Sequence, residues 1–153
     1  MLTFIRLAKG VVVIASFEEK GVWIQLMGMT FGLGAYFVVA GRMLAAGETT
    51  MSAFATLFIV SIVVMVIFLI VGYSFAAMTG SVETPDERDR LIKWRASYHS
   101  SRIMAVGILA AIACLAFGVA NVWTANLLLL SLALSEVINL ILQLMHYHRG
   151  SRV

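Results

Sequence analysis

A carboxylate in the middle of a long apolar run has the clearest chemical potential in this sequence. Glu136 lies within residues 125–145, a run of 21 residues dominated by leucine and other apolar side chains. About 20 such residues cross a hydrocarbon core of roughly 30 Å as a helix. A charged side chain at the centre of that helix costs about 2.5 to 3.5 kcal/mol. We therefore expect Glu136 to face protein or water, or to be protonated, and not to face lipid.

Polar side chains continue from Glu136 along one face of this predicted helix. Successive residues turn by about 100° around a helix, so Asn139 and Gln143 fall in the same sector as Glu136. On the first predicted span, Gln25 should lie at a depth similar to that of Gln143. We expect this polar stripe either to fix the register or an interface of packed helices, or to carry a proton or an ion.

The composition places the chain in a membrane. Apolar residues make up 61% of the 153 residues and charged residues only 12%, with a single proline, which is not the composition of a water-soluble domain. The net charge of +3 comes from basic residues between apolar runs, so it indicates topology and not a nucleic-acid partner. The single cysteine, Cys114, excludes an intrachain disulfide and a thiolate metal site.

Four apolar runs are long enough to span a bilayer, at about residues 21–44, 53–78, 103–122 and 125–145. They predict an all-α membrane protein, with four transmembrane helices in an up-down bundle that forms one membrane domain over residues 1–153. Ahead of them, residues 1–17 carry Arg6 and Lys9 and lack the cleavage site of a signal peptide. We predict a short interfacial helix there, with a flexible tail as the alternative.

A charged segment separates the second and third spans. Thr84, Pro85 and Glu87 have the pattern of a helix start, with a capping threonine and a proline at the first helical position. Because neither glycine nor proline follows in this segment, the helix over residues 85–102 should continue from the membrane surface into the third span. The turn between the third and fourth spans is predicted at residues 121–124.

The distribution of lysine and arginine predicts the orientation. All of these residues except Arg42 lie in the N-terminal segment, the charged segment or the C-terminal tail. The positive-inside rule therefore predicts that both termini and the charged segment are cytoplasmic.

In this topology, the expected depth of Glu136 is that of residues 30–34 on the first span, of the neighbourhood of Met65 on the second span and of Cys114 on the third span. The facing stretches hold no lysine or arginine. We therefore expect Glu136 to bond a neighbour such as Thr30, or to pair across a subunit boundary.

Three glycines lie on one part of the first span, Gly28, Gly32 and Gly34. The GxxxG spacing of the first two allows another helix backbone to approach closely. That partner is either a helix of the same bundle or a second copy of the chain.

Histidines and basic residues mark the predicted cytoplasmic end. We predict no metal site and no cofactor, although His99 and His146 leave a metal, haem or quinone site as an alternative. Five basic residues of the charged segment are expected to contact anionic lipid headgroups: Arg88, Arg90, Lys93, Arg95 and Arg102. The sequence has no nucleophile paired with a base, no Gly-rich phosphate loop and no paired catalytic carboxylates.

The segment TPDERDRLI is followed by two apolar spans and the ending HYHRG. In this it resembles a family of small uncharacterised bacterial inner-membrane proteins with four predicted helices and a DERD-type cytoplasmic loop before helix 3. The similarity covers about the second half of the chain. It implies a bacterial inner membrane and no particular activity.

Three functions fit these observations. The first is a non-enzymatic membrane protein acting through helix contacts, as an accessory subunit of a larger complex or as a homo-oligomer. The second is a small proton- or cation-coupled transporter, assembled as a dimer, with Glu136 as the carrier. The third is a haem- or quinone-associated redox protein that uses His99 or His146. The expected partners are membrane lipids and either other membrane subunits or a second copy.

Overall fold

The computed structural model describes residues 5–8, 11–14, 17–78 and 86–150, with side chains for 17–78 and 86–147. Most of the chain forms four long helices, which are α1 Phe17–Ala45, α2 Met51–Met78, α3 Glu87–Ala116 and α4 Asn121–Gly150. Each contains a stretch long and apolar enough to cross a membrane. The predicted all-α bundle of four such helices is confirmed.

A short hairpin precedes α1. Its strands, β1 Ile5–Ala8 and β2 Val11–Ile14, pair antiparallel. We predicted an interfacial helix over residues 1–17, and at the described residues of this segment that prediction is wrong. All four residues of β2 are β-branched, which disfavours a helix and suits a strand. Lys9, on which the prediction also rested, lies outside the described residues.

A glycine ends α3. Gly118 has a φ of 72°, and its N–H donates to the carbonyl oxygen of Leu115 at 3.1 Å. The N–H of Val119 donates to the carbonyl oxygen of Cys114 at 2.9 Å. These two bonds form a Schellman motif, which requires a left-handed residue that glycine adopts without strain. Gly47, with a φ of 81°, ends α1 in the same way.

The turn between α3 and α4 therefore lies at residues 117–120, and not at the predicted residues 121–124. Residues 121–124 instead form the first turn of α4. The third apolar helix ends at Ala116, six residues before the predicted end of the third span. This shift changes which residues of α3 and α4 lie side by side.

Asp86 caps the N-terminus of α3. Its carboxylate accepts a hydrogen bond of 2.7 Å from the N–H of Glu87, and the carboxylate of Asp89 accepts one of 3.2 Å from the N–H of Asp86. The cap is a capping box formed by two aspartates. Thr84 and Pro85, the predicted start, lie outside the described residues. From this cap, α3 is continuous along its whole length, as predicted.

The helices lie in the spatial order α2, α1, α4, α3, and the two helical hairpins meet mainly through α1 and α4. Two apolar clusters hold the hairpins together, one toward each end of the bundle. The cluster near the start of α1 contains Val22, Ile92, Leu140, Leu144 and Tyr147. The cluster at the opposite end contains Tyr36, Ala40, Phe54 and Val122.

α3 and α4 pack in close contact around Gly107. A Cβ added at Gly107 would lie 2.0 Å from Oγ of Ser131, so no side chain fits at that position without a shift. Nearer the charged segment, Oγ of Ser135 donates to the carbonyl oxygen of Ser100 at 2.9 Å. Small residues therefore let the two backbones pack in close contact.

The hydrogen bond between Ser135 and Ser100 shows which residue of α3 lies at the depth of Glu136, and the predicted residue, Cys114, was wrong. Ser100, and not Cys114, lies level with Glu136, a difference of about 21 Å at 1.5 Å per residue. The reason is that residues 87–102, predicted to project from the membrane, pack along the last half of α4. The apolar surface of the bundle therefore ends earlier on α3 than on α4.

Candidate functional site

The three residues of the predicted polar stripe that lie on α4 form a hydrogen-bonded row. Nδ2 of Asn139 donates to Oε2 of Glu136 at 3.3 Å, and Nε2 of Gln143 donates to Oδ1 of Asn139 at 3.2 Å. Glu136 and Asn139 are partly buried, and Gln143 is 6% exposed. The hydrogen bond to Glu136 thus comes from its own helix and not from Thr30, which is exposed on α1.

A second polar row links α1 to α2. Nε2 of Gln25 donates to the hydroxyl oxygen of Tyr73, and this hydroxyl donates to the carbonyl oxygen of Gly21 at 3.4 Å. A Cβ added at Gly21 would lie 3.3 Å from the tyrosine ring. The glycine therefore allows the ring to lie against the backbone of α1.

Both rows border one polar cavity of about 460 Å³. Its lining comes from all four helices and includes Glu18 and Gln25 of α1, Tyr73 of α2, Lys93 and Ser97 of α3, and Asn139 and Gln143 of α4. The structure thus brings together three of the four residues of the predicted stripe. The fourth, Glu136, lies one hydrogen bond beyond the lining, through Asn139.

An ion pair joins α1 to α3 at the cavity. Nζ of Lys93 contacts Oε2 of Glu18, and the two side chains are 43% and 20% exposed. Because water screens such a pair, it contributes only about 0 to 1 kcal/mol. Lys93 thus pairs with a carboxylate of the same chain, and its predicted contact with a lipid headgroup stays a prediction.

The other predicted headgroup residues, Arg88, Arg90, Arg95 and Arg102, are exposed. The guanidinium of Arg102 lies 5.1 Å from the ring centroid of Tyr98 and donates to its hydroxyl at 3.2 Å. The ring of Tyr98 in turn stacks on Trp94 at 6.4 Å. Rows of aromatic rings and cations are typical of helices at a membrane interface, and headgroup contact at these residues stays a prediction.

The glycines of α1 differ in what they face. A Cβ added at Gly28 would lie 3.0 Å from Leu69, and one at Gly32 would lie 2.9 Å from Met65, both on α2. At Gly34, no described atom lies within 4 Å of the added Cβ. The close packing at Gly28 and Gly32 is therefore within the bundle, and Gly34 takes no part in it.

Sequence reasoning missed the small residues by which α3 packs on α4. Ala96, Ser100, Gly107 and Ala111 are buried at intervals of four, seven and four residues. That spacing is the signal that would have predicted this face, since it repeats on one side of a helix. The ion pair of Lys93 with Glu18, in contrast, has no signal in the sequence.

The two candidate ligand histidines are not brought together. His99 precedes Ser100, which lies beside Ser135, whereas His146 is 11 residues further along α4, about 16 Å by helical rise. Nδ1 of His146 lies 2.7 Å from the carbonyl oxygen of Leu142 in the preceding turn. Within residues 17–78 and 86–147, no group of three or more His, Cys, Asp or Glu side chains has the arrangement of a metal site.

The fold and the cavity define the class: this is a multi-pass membrane protein with four helices and a polar cavity toward one end of the bundle. Comparisons with protein-family models, curated proteins and solved structures found no match. The resemblance based on the TPDERDRLI segment therefore stays a prediction.

Proposed function

We propose that the protein is a small proton- or cation-coupled transporter in which Glu136 is the carrier. The observation behind this proposal is the continuous polar row from Glu136 through Asn139 and Gln143 to a cavity lined by all four helices. An ionisable side chain at membrane depth is costly, and it commonly marks the path of a proton or an ion. Of the functions considered, transport makes the fullest use of this arrangement.

The two ends of the bundle differ in the way that a transporter requires. Toward the start of α1 the cavity is polar, while the opposite end is packed by Tyr36, Ala40, Phe54 and Val122. In this proposal, Glu136 exchanges its proton or cation with water through the cavity. Release on the other side then requires α1, α2 and α4 to separate at the apolar cluster.

Flux through purified protein in liposomes tests the proposal. A pH-sensitive dye inside the vesicles reports proton movement after a gradient of pH or of a monovalent cation is imposed. Glu136→Gln keeps the size of the side chain and removes its charge, so it should abolish the flux. Glu48→Gln, the same change in the exposed loop after α1, is the matched control and should leave flux unchanged. Equal flux in wild type and Glu136→Gln would reject the carrier role.

The proposed location is a bacterial inner membrane, with both termini in the cytoplasm. Support comes from the excess of lysine and arginine in the terminal segments and in the charged segment. A reporter that fluoresces only in the cytoplasm, fused after Val153, should be bright. A reporter inserted after Gly47 and active only outside the cytoplasm should also be active, and the reverse pattern would invert the topology.

A second candidate function is an accessory subunit or homo-oligomer that acts through helix contacts. It is favoured by α2, in which only Phe54 and Ala76 are buried among 28 residues. Apart from the partly buried side chains that pack on α1, such as Met65 and Leu69, this apolar surface is left to lipid or to another protein helix. Native mass spectrometry on gently extracted protein distinguishes the cases, because a fixed stoichiometry with other proteins supports a subunit. A dimer of this chain without other proteins fits both the transporter and a homo-oligomer, and the flux assay then separates these two.

A further inference from the structure

We propose that the cavity binds an organic ammonium group, whose N–H groups donate to amide carbonyl oxygens while Glu136 balances its charge. This inference deepens the proposed transport function, since it names the chemical class of the cargo. The statement that the ammonium compound is transported rests on the proposed function. The statement that it binds does not, because binding is measured separately.

The hydrogen bonds along α4 determine which atoms the cavity offers. An ionised carboxylate only accepts hydrogen bonds, so Glu136 takes an N–H of Asn139. Oδ1 of Asn139 then accepts an N–H of Gln143. Both bonds point toward Glu136, and this orientation leaves Oε1 of Gln143 as the acceptor at the cavity end of the row. Aligned hydrogen bonds polarise one another, so the row extends the negative potential of Glu136 toward the cavity.

The row on α1 and α2 has the same polarity. Gln25 donates an N–H to Tyr73, and Tyr73 uses its own hydroxyl hydrogen to bond the carbonyl oxygen of Gly21. The amide carbonyl of Gln25 is therefore a second acceptor among the residues that line the cavity. One N–H of Gln143, one N–H of Gln25 and the hydroxyl of Tyr73 are thus directed into internal bonds, and the carbonyl oxygens of the two amides suit a ligand that donates hydrogen bonds.

The charges around the cavity favour a monovalent cation. Of the side chains in its described lining, only Glu18 and Lys93 are charged, and they neutralise each other in an ion pair. With Glu136 ionised, the site carries one net negative charge. An anion would meet acceptor oxygens and an already paired lysine, so it is disfavoured.

The size of the cavity favours an organic cation over a bare metal ion. A volume of about 460 Å³ lies within the range of roughly 300 to 1,000 Å³ found for small-molecule sites. Phe17 and Tyr73 contribute aromatic rings to the lining, and ring faces attract ammonium groups. An alkyl chain on the ammonium would lie against these rings and Val22.

An ammonium group reaches the cavity from one of two sources. It belongs either to a free amine in water or to the ethanolamine headgroup of a membrane lipid. Both present the same N–H donors and the same charge to Glu136 and to the carbonyl oxygen of Gln143. The experiment therefore distinguishes a free amine from a lipid headgroup by using membranes of different lipid composition.

Calorimetric titration of the full chain in nanodiscs tests the inference. The probe is n-butylammonium chloride, with sodium butyrate as the anion of matched length, in nanodiscs of phosphatidylglycerol that contain no amine. We expect saturable binding of one n-butylammonium per chain and no binding of butyrate. Glu136→Gln should weaken the affinity by about tenfold or more, as expected for loss of a charge partner in a partly buried site. Glu136→Asp, which keeps the charge, should retain binding and shows that a loss in Glu136→Gln is not a folding defect.

The control is Glu48→Gln, which removes a carboxylate at the opposite end of the bundle without touching the cavity and should bind as wild type does. Repeating the titration in phosphatidylethanolamine nanodiscs separates the sources. Weaker binding there, with the lipid retained in native mass spectra, assigns the site to the headgroup, and unchanged binding assigns it to a free amine.

The inference is overturned if neither n-butylammonium nor the ethanolamine lipid binds wild type, or if Glu136→Gln binds equally well. Proton flux that depends on Glu136 without ammonium binding would overturn this inference alone and leave the transporter standing. Binding without any flux would support the site and reject transport.

Discussion

Oγ of Ser135 on α4 donates a hydrogen bond of 2.9 Å to the carbonyl oxygen of Ser100 on α3. Both serines are 4% exposed. Because Arg102 is two residues from Ser100, its Cα lies within about one helical turn of the level of Glu136. The polar surface of α3 therefore extends to the depth of the carboxylate, and water should come closest to Glu136 along this side of the bundle.

Cysteine labelling should detect this uneven membrane boundary. In a Cys114→Ser background, Ser101→Cys on α3 and Leu134→Cys on α4 lie at a similar level, and both native side chains are exposed. We expect a membrane-impermeant maleimide to label position 101 at least about tenfold faster than position 134, because the thiolate forms in water and not in lipid. Equal rates would mean that the lipid boundary is level on the two helices.

Filling the space at Gly107 should separate α3 from α4. Gly107→Ala places a methyl group 2.0 Å from Oγ of Ser131, and Ser131 is itself held by a 2.7 Å bond to the carbonyl oxygen of Leu127. We expect a loss of about 1 to 3 kcal/mol, typical of overpacking, and a lower unfolding midpoint in detergent. Gly34→Ala, in open space on α1, is the control and should be neutral or stabilising. Equal midpoints for the two variants would contradict the close contact.

The ion pair between Glu18 and Lys93 should matter little for stability. A double-mutant cycle with Glu18→Gln and Lys93→Met isolates their coupling from other effects of each change. Since both side chains reach solvent, we expect a coupling energy below about 1 kcal/mol. A coupling of several kcal/mol, measured from reversible unfolding in detergent, would show that the pair is shielded from water.

Glu48 in the loop after α1 should titrate at a lower pH than an ordinary glutamate. Hydrogen bonds from the side chain and the backbone N–H of Thr50 lower the pKa of Glu48. Its contribution to stability is therefore present above the unfolded-state pKa and lost as the pH falls through the folded-state pKa. Thr50→Val removes the hydroxyl and keeps the N–H, so the pKa should move back toward its usual value. Carbon-13 NMR of the labelled carboxyl group measures this, and identical titration curves would rule out the hydroxyl bond.

The helices and the α4 stripe were predictable because they depend on local pattern. A bilayer leaves a long apolar run little alternative to a helix, and the helical period alone put Asn139 and Gln143 beside Glu136. Gly118 is a turn signal that the prediction did not use. The predicted turn was therefore placed at residues 121–124, four residues too late.

Relations between helices were harder to predict because they depend on packing. Ser100 lies level with Ser135 because the small residues of α3 and α4 interlock. A prediction of each span by itself carries no information on how two helices are aligned along their lengths. Glu18 and Lys93 are 75 positions apart in the chain, so only the assembled bundle places them in contact. For the N-terminal segment, the charges of Arg6 and Lys9 were given more weight than the β-branched residues of β2, which favour a strand.

In the proposed transport function, Glu136 is in contact with water through the cavity, and chemical modification of its carboxylate tests this contact. A water-soluble carbodiimide with an added amine nucleophile is applied to protein in liposomes, and mass spectrometry measures the modified fraction of Glu136. We expect Glu136 to react in wild type and to react much more slowly in Ser97→Trp, where the indole fills the cavity. Glu48 should react equally in both and serves as the internal reference. An unreactive Glu136 in wild type, or equal reaction in both proteins, would show that water does not reach Glu136 through the cavity.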